Sequence, residues 1–523
     1  IAVCLLNSYK NPEHEEKVYS IINDEINDLP IILSSQVSPE WREYERTSTT
    51  VVSAYISPII INYLTNLQIS LKNEGINVPI LIMQSNGGVV SGDVAKKNPV
   101  QTLLSGPVGG TIAGVTVFND LKDLSKNALI CMDMGGTSFD VSIVIDGKAQ
   151  IELDSNIDGH DLLAPSVAIH TIGAGGGSVT EFKSGKINVG PRSASSNPGP
   201  ICYDHGGTEI TITDANLVLG RISKKLSFGN DIKLNYEETS SKMNELGEKL
   251  KLSGNQVAEG IIKIADGNMS NAIRELTVFR GLDPRDYALM AFGGAGPLHT
   301  VALAEELGIS TVIVPANAGV LSAWGMLQAD YRVDKSISFS GLIGQLNDNK
   351  IREEFDRLCA KSKSILAFNS ETKFVHEFNY SADLRYLGQE YTLTISVDSL
   401  KNDWQLKLRS DFDSAYLIRF GHCNEEETVE LVNLRVTLIM IKNKINKIVK
   451  KSFPSNTKFR YEKFWSLNQW QDLPICNYEE IKLDSEYEGP LMVTDSSCTT
   501  YIPKNWKLKL HNQGHLILTK IKS

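Results

Sequence analysis

Apolar residues change period several times along this chain, and the changes mark its elements. Ile1–Leu6, Glu13–Ile26 and Ile31–Ser34 read as strand, helix and strand. A helical pattern then runs from Arg42 to about Lys72. Pro79–Met83 is a short apolar run of buried-strand type, followed by the turn Gln84-Ser-Asn-Gly-Gly88. Leu104–Gly110 opens a small-residue helix through Thr111–Val117. Ala128–Met134 ends in a glycine turn, and alternation resumes at Phe139, which predicts a hairpin. Residues 186–215 are rich in turn signals, and 254–280 are helical, with Gly260, Ala265, Gly267 and Ala272 predicting close packing. Tyr287–Phe292 and Thr311–Pro315 read as buried strands on either side of the periodic run Leu298–Leu307. This mixture predicts an α/β domain to about residue 330. Beyond it, 347–368 reads as a charged helix, and Phe374–Val397 and Val429–Ile441 as strands. Short strands then run from about Phe459 to the end, predicting an α+β segment and a small all-β C-terminal domain. No internal repeat is evident.

Three glycine clusters stand out, two of them at the ends of predicted strands. The first is Asp133-Met-Gly-Gly-Thr-Ser-Phe-Asp140. Glycine lets backbone approach a ligand closely, so the N–H groups of Gly135, Gly136 and Thr137 can point at one anion. A carboxylate at the strand end, Asp133, can hold Mg²⁺ or orient a water. An ordinary hairpin turn has the same local sequence. The second cluster, Gly293-Gly-Ala-Gly296, lies between a strand and a helix whose first turn accepts Pro297. A nucleotide can lie against such a turn, although the spacing is not the dinucleotide fingerprint Gly-x-Gly-x-x-Gly. The third, Gly175-Gly-Gly177, is either a further backbone nest or a flexible loop.

His170 is the foremost histidine candidate for acid–base work, with a core histidine as the alternative reading. Asp140 is placed to orient Thr137 or to serve the fold. His160, His170 and His205 with Asp158 and Asp161 match no standard ligand spacing.

A formal net charge of −10 argues against general binding to nucleic acid or anionic membrane. The one basic run, Lys442, Lys444, Lys447, Lys450 and Lys451, alternates with Ile and Val and reads as a solvated face or linker. Seven cysteines without a C-x-x-C pair suit reduced thiols in a cytoplasm and give no zinc signature. No run of eighteen apolar residues predicts a membrane span, and no signal-peptide pattern stands out. The chain opens on the apolar run Ile1–Leu6 without a methionine, so an upstream segment is expected.

The Asp133 loop resembles the phosphate loops of the actin and sugar-kinase ATPase superfold, and the whole chain resembles the hydantoinase A family. That family also holds 5-oxoprolinases and the ATP-using subunits of acetone carboxylases. The resemblance is carried by Ser38–Thr50, Met83–Val89, Ser105–Gly110, Asp133–Asp140, His170–Ser178, Gly207–Arg221, Phe292–His299 and Ala382–Gln389, in that order. It covers nearly all of the chain, with a more diverged match around Gly489–Asp495 and Pro503–Trp506.

The resemblance implies ATP bound between two actin-like lobes, with about 150–180 residues of the first lobe upstream. Residues 1–36 would be its remnant, 37–332 the second actin-like lobe, 333–450 the α+β segment and 451–523 the β domain. It further implies a cytoplasmic, ATP- and Mg²⁺-dependent hydrolase subunit that phosphorylates the carbonyl of a cyclic amide such as a hydantoin or 5-oxoproline. The partner would be a B-type subunit in a hetero-oligomer, with any catalytic metal of the ring hydrolysis on that partner. Asp133 would serve Mg²⁺ or its water shell, and Gly135, Gly136 and Thr137 the phosphates. Gly293, Gly294 and Ala295 would serve the base or ribose. The alternatives are a ketone carboxylase subunit and a non-catalytic partner-binding fragment.

Overall fold

The computed structural model describes residues 1–26, 29–121, 126, 128–224, 227–228, 232–366, 375–398, 400, 403–443 and 457–521. Lys444, Lys447, Lys450 and Lys451 of the basic run lie outside the described residues. The chain forms two compact units. The first comprises Ile1–Ser105, Ile151–Ser166 and Ala329–Lys444, and the second Gly106–Gln150, Val167–Gln328 and Ile445–Ser523.

In the first unit, Ala2–Val3 pairs in parallel with Ile32–Leu33, with the Glu13–Glu25 helix between them in sequence. Its main sheet has six described strands, in the order Leu393–Ser396, Val375–Tyr386, Val429–Ile441, Tyr331–Leu342, Val89–Ser91 and Leu81–Met83. Helices Asp348–Leu366 and Trp404–Phe420 supply Ile351, Phe355, Leu358, Leu408 and Phe412 to a core shared with Leu384, Leu431 and Leu434.

The long helix Glu43–Asn73 departs from ordinary amphipathic order. Arg46, Thr49, Thr50, Ser53 and Ser57 are buried, while Tyr55, Ile59 and Tyr63 are exposed. Arg46 explains part of this, because its guanidinium donates to Ser8, Ser34, Glu43 and the Leu5 carbonyl. The helix contains no unbroken run of eighteen apolar residues, since Ser, Thr and Asn interrupt it. Those residues are uncharged, however, so by length and composition alone it reaches the apolarity of a membrane span, with 22% of its most apolar window buried.

The second unit is built on a sheet of nine described strands. Its path runs Ile169–Ile172, Phe139–Ile145, Ala128–Met134, Ala288–Phe292, Thr311–Val314, Leu516–Lys520, Trp506–Leu510 and Glu486–Glu488, with Lys148–Ala149 beside Phe139–Ile145. Ala128–Met134 and Phe139–Ile145 are the antiparallel hairpin read from the sequence, and Ala288–Phe292 pairs in parallel with the first of them. Ile130, Cys131 and Met132 are wholly buried, as are Leu289 and Met290 on the neighbouring strand. Each of these Ile, Met and Leu side chains contributes roughly 1.5–3 kcal/mol on burial. The sheet is thereby a rigid base for the loops at its ends.

Within the second unit two features differ from the sequence expectation. Trp506–Leu510 and Leu516–Lys520, from the segment read as a small β domain, extend this central sheet through antiparallel pairing of Thr311–Val314 with Leu516–Thr519. A separate four-stranded sheet does form from Arg460–Ser466, Gln469–Asn477, Leu491–Thr494 and Thr499–Ile502. Within the turn-rich stretch, Lys186–Ser193 is a strand paired with Ser178–Lys183.

Candidate functional site

The second unit brings the three glycine clusters together. Asp133 is the sixth residue of its strand and sits directly across the hairpin from Asp140. The Ser322 hydroxyl, on the helix Leu321–Gln328, donates to Asp133 Oδ2 at 2.7 Å. Asp133 Oδ1 accepts no hydrogen bond from the described residues. Asp140 is buried, with Thr171 Oγ1 at 2.6 Å on one oxygen and Ser138 Oγ at 3.0 Å on the other. Burial pushes the Asp133 carboxyl above its ordinary range; the Ser322 hydroxyl opposes this and the Asp140 charge reinforces it. Asp140 is also raised by burial, against the bonds from Thr171 and Ser138.

Around this pair the backbone interlocks. The hairpin turn closes through Gly135 N–H to Ser138 O at 3.3 Å. Gly176 and Gly177 donate to the carbonyls of Gly135 and Gly136, at 2.9 and 2.7 Å. Gly175 N–H is held by Ser178 Oγ at 2.9 Å. All three amides of Gly175–Gly177 are therefore committed within the protein. They brace the Asp133 loop from behind, which differs from the nest reading, in which they would face a ligand. A Cβ on Gly175 would come within 2.5 Å of Thr137 N, so only glycine allows this approach.

The Gly293 cluster adjoins the same hairpin. Ala295 N–H donates to Met134 O at 3.0 Å, and Gly293 N–H to Ala318 O at 2.9 Å. Gly293 has φ +79°, and a Cβ there would lie 2.4 Å from both Asp133 Oδ1 and Met134 O. The helix Gly296–Leu307 starts from this turn with Pro297 in its first turn.

What remains open is the tip of the hairpin. Gly136 and Thr137 are exposed, and their amides make no hydrogen bond among the described residues. A Cβ on Gly135 or Gly136 would meet nothing within 4 Å. Two uncommitted amides beside a half-committed carboxylate suit a phosphate with its divalent cation.

His170 is not brought to this arrangement. On the strand Ile169–Ile172, Thr171 lies opposite Asp140, while His170 lies opposite Val141 and takes the other face. Its Nε2 faces Glu275 Oε2 at 3.0 Å. Among the described residues no group of three or more His, Cys, Asp and Glu side chains is placed to hold a metal ion. Ser322 and Thr171 were not evident from motifs. Thr171 has a signal in strand alternation once its pairing with Asp140 is known. Ser322 has none, because it comes from a helix nearly two hundred residues away in sequence.

A family model described as hydantoinase/oxoprolinase matches residues 46–335. The alpha subunit of caprolactamase from Pseudomonas jessenii is 32% identical over 99% of this chain and 76% of its own length. The crystal structure of ATP-dependent caprolactamase from that organism has a TM-score of 0.82 at 30% identity, covering 99% of this chain and 76% of that one. Acetone carboxylase in its nucleotide-free form has a TM-score of 0.81 at 25% identity, again with 99% and 76% covered. The 5-oxoprolinase of Saccharomyces cerevisiae is 32% identical over 99% of this chain and 41% of its own length.

Proposed function

Because this chain belongs to the hydantoinase/oxoprolinase family, we propose that it is the ATP-using subunit of an enzyme that opens a cyclic amide. The single observation that carries the reading is the hairpin tip. Gly136 and Thr137 offer uncommitted amides beside Asp133 Oδ1, while the Gly175–Gly177 loop holds that tip in place. The strand order supports an actin-like lobe. In sequence order the first five strands of the sheet path lie third, second, first, fourth and fifth, with parallel pairing of the first with the fourth and the fourth with the fifth.

ATP is a substrate in this reading. The amides of Gly136 and Thr137 donate to phosphoryl oxygens, and Gly293–Ala295 line the base or ribose. Asp133 Oδ1 fits as an acceptor toward Mg²⁺ or its water shell, and that cation would supply neutralisation of phosphate charge. Asp140 keeps the hairpin closed through Ser138 and Thr171.

A lactam carbonyl is a poor electrophile because its nitrogen donates into it. Its oxygen attacks the γ-phosphorus, the bond to the bridging oxygen breaks, and ADP leaves. Water then adds to the activated carbon, and the C–N bond breaks as nitrogen takes a proton. Hydrolysis of the resulting acyl phosphate releases phosphate. Ring amide, ATP and two waters thus become amino acid, ADP and phosphate. Most of the protein's contribution is positioning and charge stabilisation.

Caprolactamase is named for an alpha subunit, and a second subunit is proposed for this chain as well. The similarity to acetone carboxylase favours a second reading, in which a ketone and bicarbonate are the phosphoryl acceptors.

The test is calorimetric titration of Mg-ATP into the chain and into its Asp133→Asn variant, followed by ATP turnover with 5-oxoproline, a hydantoin or caprolactam. Binding that Asp133→Asn weakens, with turnover on an amide and no need for bicarbonate, fits the proposal. Turnover only with a ketone and bicarbonate selects the second reading. Absence of binding in the chain together with its partner subunit removes both.

A further inference from the structure

A buried histidine links the two glycine loops that flank the candidate phosphate site, and the sequence motif containing it, Phe292–His299, assigned it no role. His299 lies in the first turn of the helix Gly296–Leu307 and is wholly buried. Its Nδ1 is 2.7 Å from Asp266 Oδ1, on the helix Gly254–Leu276. Its Nε2 is 3.3 Å from Asn216 Nδ2, on the short helix Ile212–Val218. Asp266 and Asn216 are buried as well. With Asn216 donating, Nε2 must accept, so the proton sits on Nδ1 and goes to Asp266.

These bonds close a circuit. Thr213, at the start of the Asn216 helix, donates to Gly176 O through both its amide and its hydroxyl, each at 2.8 Å. Gly176 N–H donates to Gly135 O. On the other side, Ala295 N–H, four residues before His299, donates to Met134 O. The path therefore runs Met134–Gly135, Gly176, Thr213, Asn216, His299, Ala295 and back to Met134. Every link except His299 to Asn216 is either a backbone bond, a bond to a backbone carbonyl or a short piece of one helix. The His299–Asn216 contact is the one place where two side chains close the ring.

We propose that His299 is a positioning residue that fixes the spacing of the Gly175–Gly177 and Gly293–Ala295 loops around the Asp133 hairpin, and thereby sets nucleotide affinity. This rests on the nucleotide reading of the site. The alternative is a buried polar group that serves only the fold.

Two isosteres separate the links. In His299→Asn the amide nitrogen takes the place of Nδ1, keeping Asp266 and losing Asn216. In His299→Gln the amide reaches the place of Nε2, and its oxygen accepts from Asn216. The experiment measures Mg-ATP affinity by calorimetry, and amide hydrogen exchange of the nucleotide-free protein, for wild type, both isosteres and Asn216→Ser. His299→Asn and Asn216→Ser are expected to weaken Mg-ATP about tenfold. Both should lose protection at the amides of Gly176, Gly177 and Ala295, with the Ala128–Met134 strand unchanged. His299→Gln should restore affinity and protection toward wild type.

Unchanged loop protection in folded His299→Asn and Asn216→Ser overturns the proposal whatever ATP does. So does equal protection loss in the strand and in the loops, because that is a purely structural role. If wild type, with its partner subunit present, fails to bind Mg-ATP but the loop amides respond as stated, the nucleotide reading fails and the positioning of the loops stands. Should His299→Asn not fold, Asn216→Ser reads the same link from the other side.

Discussion

Gly136→Ala separates an ordinary hairpin turn from a phosphate loop. The added methyl meets no atom within 4 Å. Gly136 is absent from the left-handed backbone positions, so alanine fits its conformation without strain. On the fold alone, the variant should be neutral or more stable by about 0.4–1 kcal/mol, because the unfolded chain loses freedom. A phosphate at the hairpin tip changes the outcome. The methyl then projects into the space through which an oxygen must reach the Gly136 and Thr137 amides. Losing one charge-assisted hydrogen bond costs roughly 1.5–3 kcal/mol, which is about 10- to 100-fold in affinity. The assay is paired: urea or thermal unfolding for stability, and calorimetric titration of Mg-ATP for affinity. Unchanged or raised stability with a weakened nucleotide is the expected result. Equal affinity for both proteins would mean that the tip is only a turn, and the phosphate assignment would be withdrawn. Loss of both together would mean that the open space around Gly136 is not open in solution.

Other residues of the two units give distinct outcomes. Ser322→Ala removes the donor to Asp133 Oδ2, so the Asp133 carboxyl rises further; Mg-ATP binding, which on the proposed reading needs the ionised form, should fail at higher pH as pH is lowered than in wild type, read as a shifted acidic limb in calorimetry. Gly293→Ala combines a left-handed φ of +79° with a Cβ at 2.4 Å from Asp133 Oδ1 and Met134 O; it should destabilise by more than the ~1–2 kcal/mol of backbone strain alone, and near-wild-type unfolding would contradict the packing. In the first unit Arg435 bridges Glu40 and Asp383, with contacts of 2.7 and 2.6 Å; Arg435→Met leaves the buried Asp383 carboxylate without its counter-charge and should cost about 3–5 kcal/mol, whereas an effect under about 1 kcal/mol would place the pair in solvent. Asp383 and Asp334 are held below the usual carboxylate range, against burial, by Arg435 and Arg332 respectively. Their contribution is present above the unfolded value of about 4 and is lost as pH falls below it toward the folded value. Acid unfolding of wild type should therefore steepen below about pH 4, and a flat stability profile there would argue against the ion pairs.

Local pattern carried much of this fold. The Asp133 hairpin was legible because apolar runs bracket a glycine turn, and the strand Val429–Ile441 and the helix Gly254–Leu276 follow their periods closely. The helix Trp404–Phe420 also has a signal, since its buried Trp404, Leu408, Phe412 and Tyr416 recur every fourth residue; the neighbouring strand alternation obscures it. Other features have no local signature. Leu516–Lys520 reads as a strand from its own residues, but nothing in them names Thr311–Val314 as the partner. Burial of polar residues on the helix Glu43–Asn73 likewise depends on Arg46 finding Ser8 and Ser34, which no periodicity announces. Hydrophobic period reports which residues seek burial, and leaves the partner that satisfies them to the rest of the chain.

The candidate site shows the same division at the level of single amides. Glycine richness marked all three loops alike, because conformational permission is all that glycine encodes. The hydrogen bonds then distinguish them. Gly175, Gly176 and Gly177 turn their amides inward to Ser178, Gly135 and Gly136, whereas Gly136 and Thr137 leave theirs outward. A loop whose amides are already committed cannot bind an anion without breaking bonds worth about 1 kcal/mol each, but it can make its neighbour rigid before the ligand arrives. Such preorganisation has a direct consequence for substitution. Alanine at Gly176 would place a methyl 2.8 Å from Thr213 Oγ1, and at Gly177 one 2.9 Å from Gly136 O, so the first disturbs the loop's anchor and the second pushes on the hairpin directly. They should lower nucleotide affinity and stability together, in contrast to Gly136→Ala, and that contrast identifies which glycine loop meets the ligand and which one holds it ready.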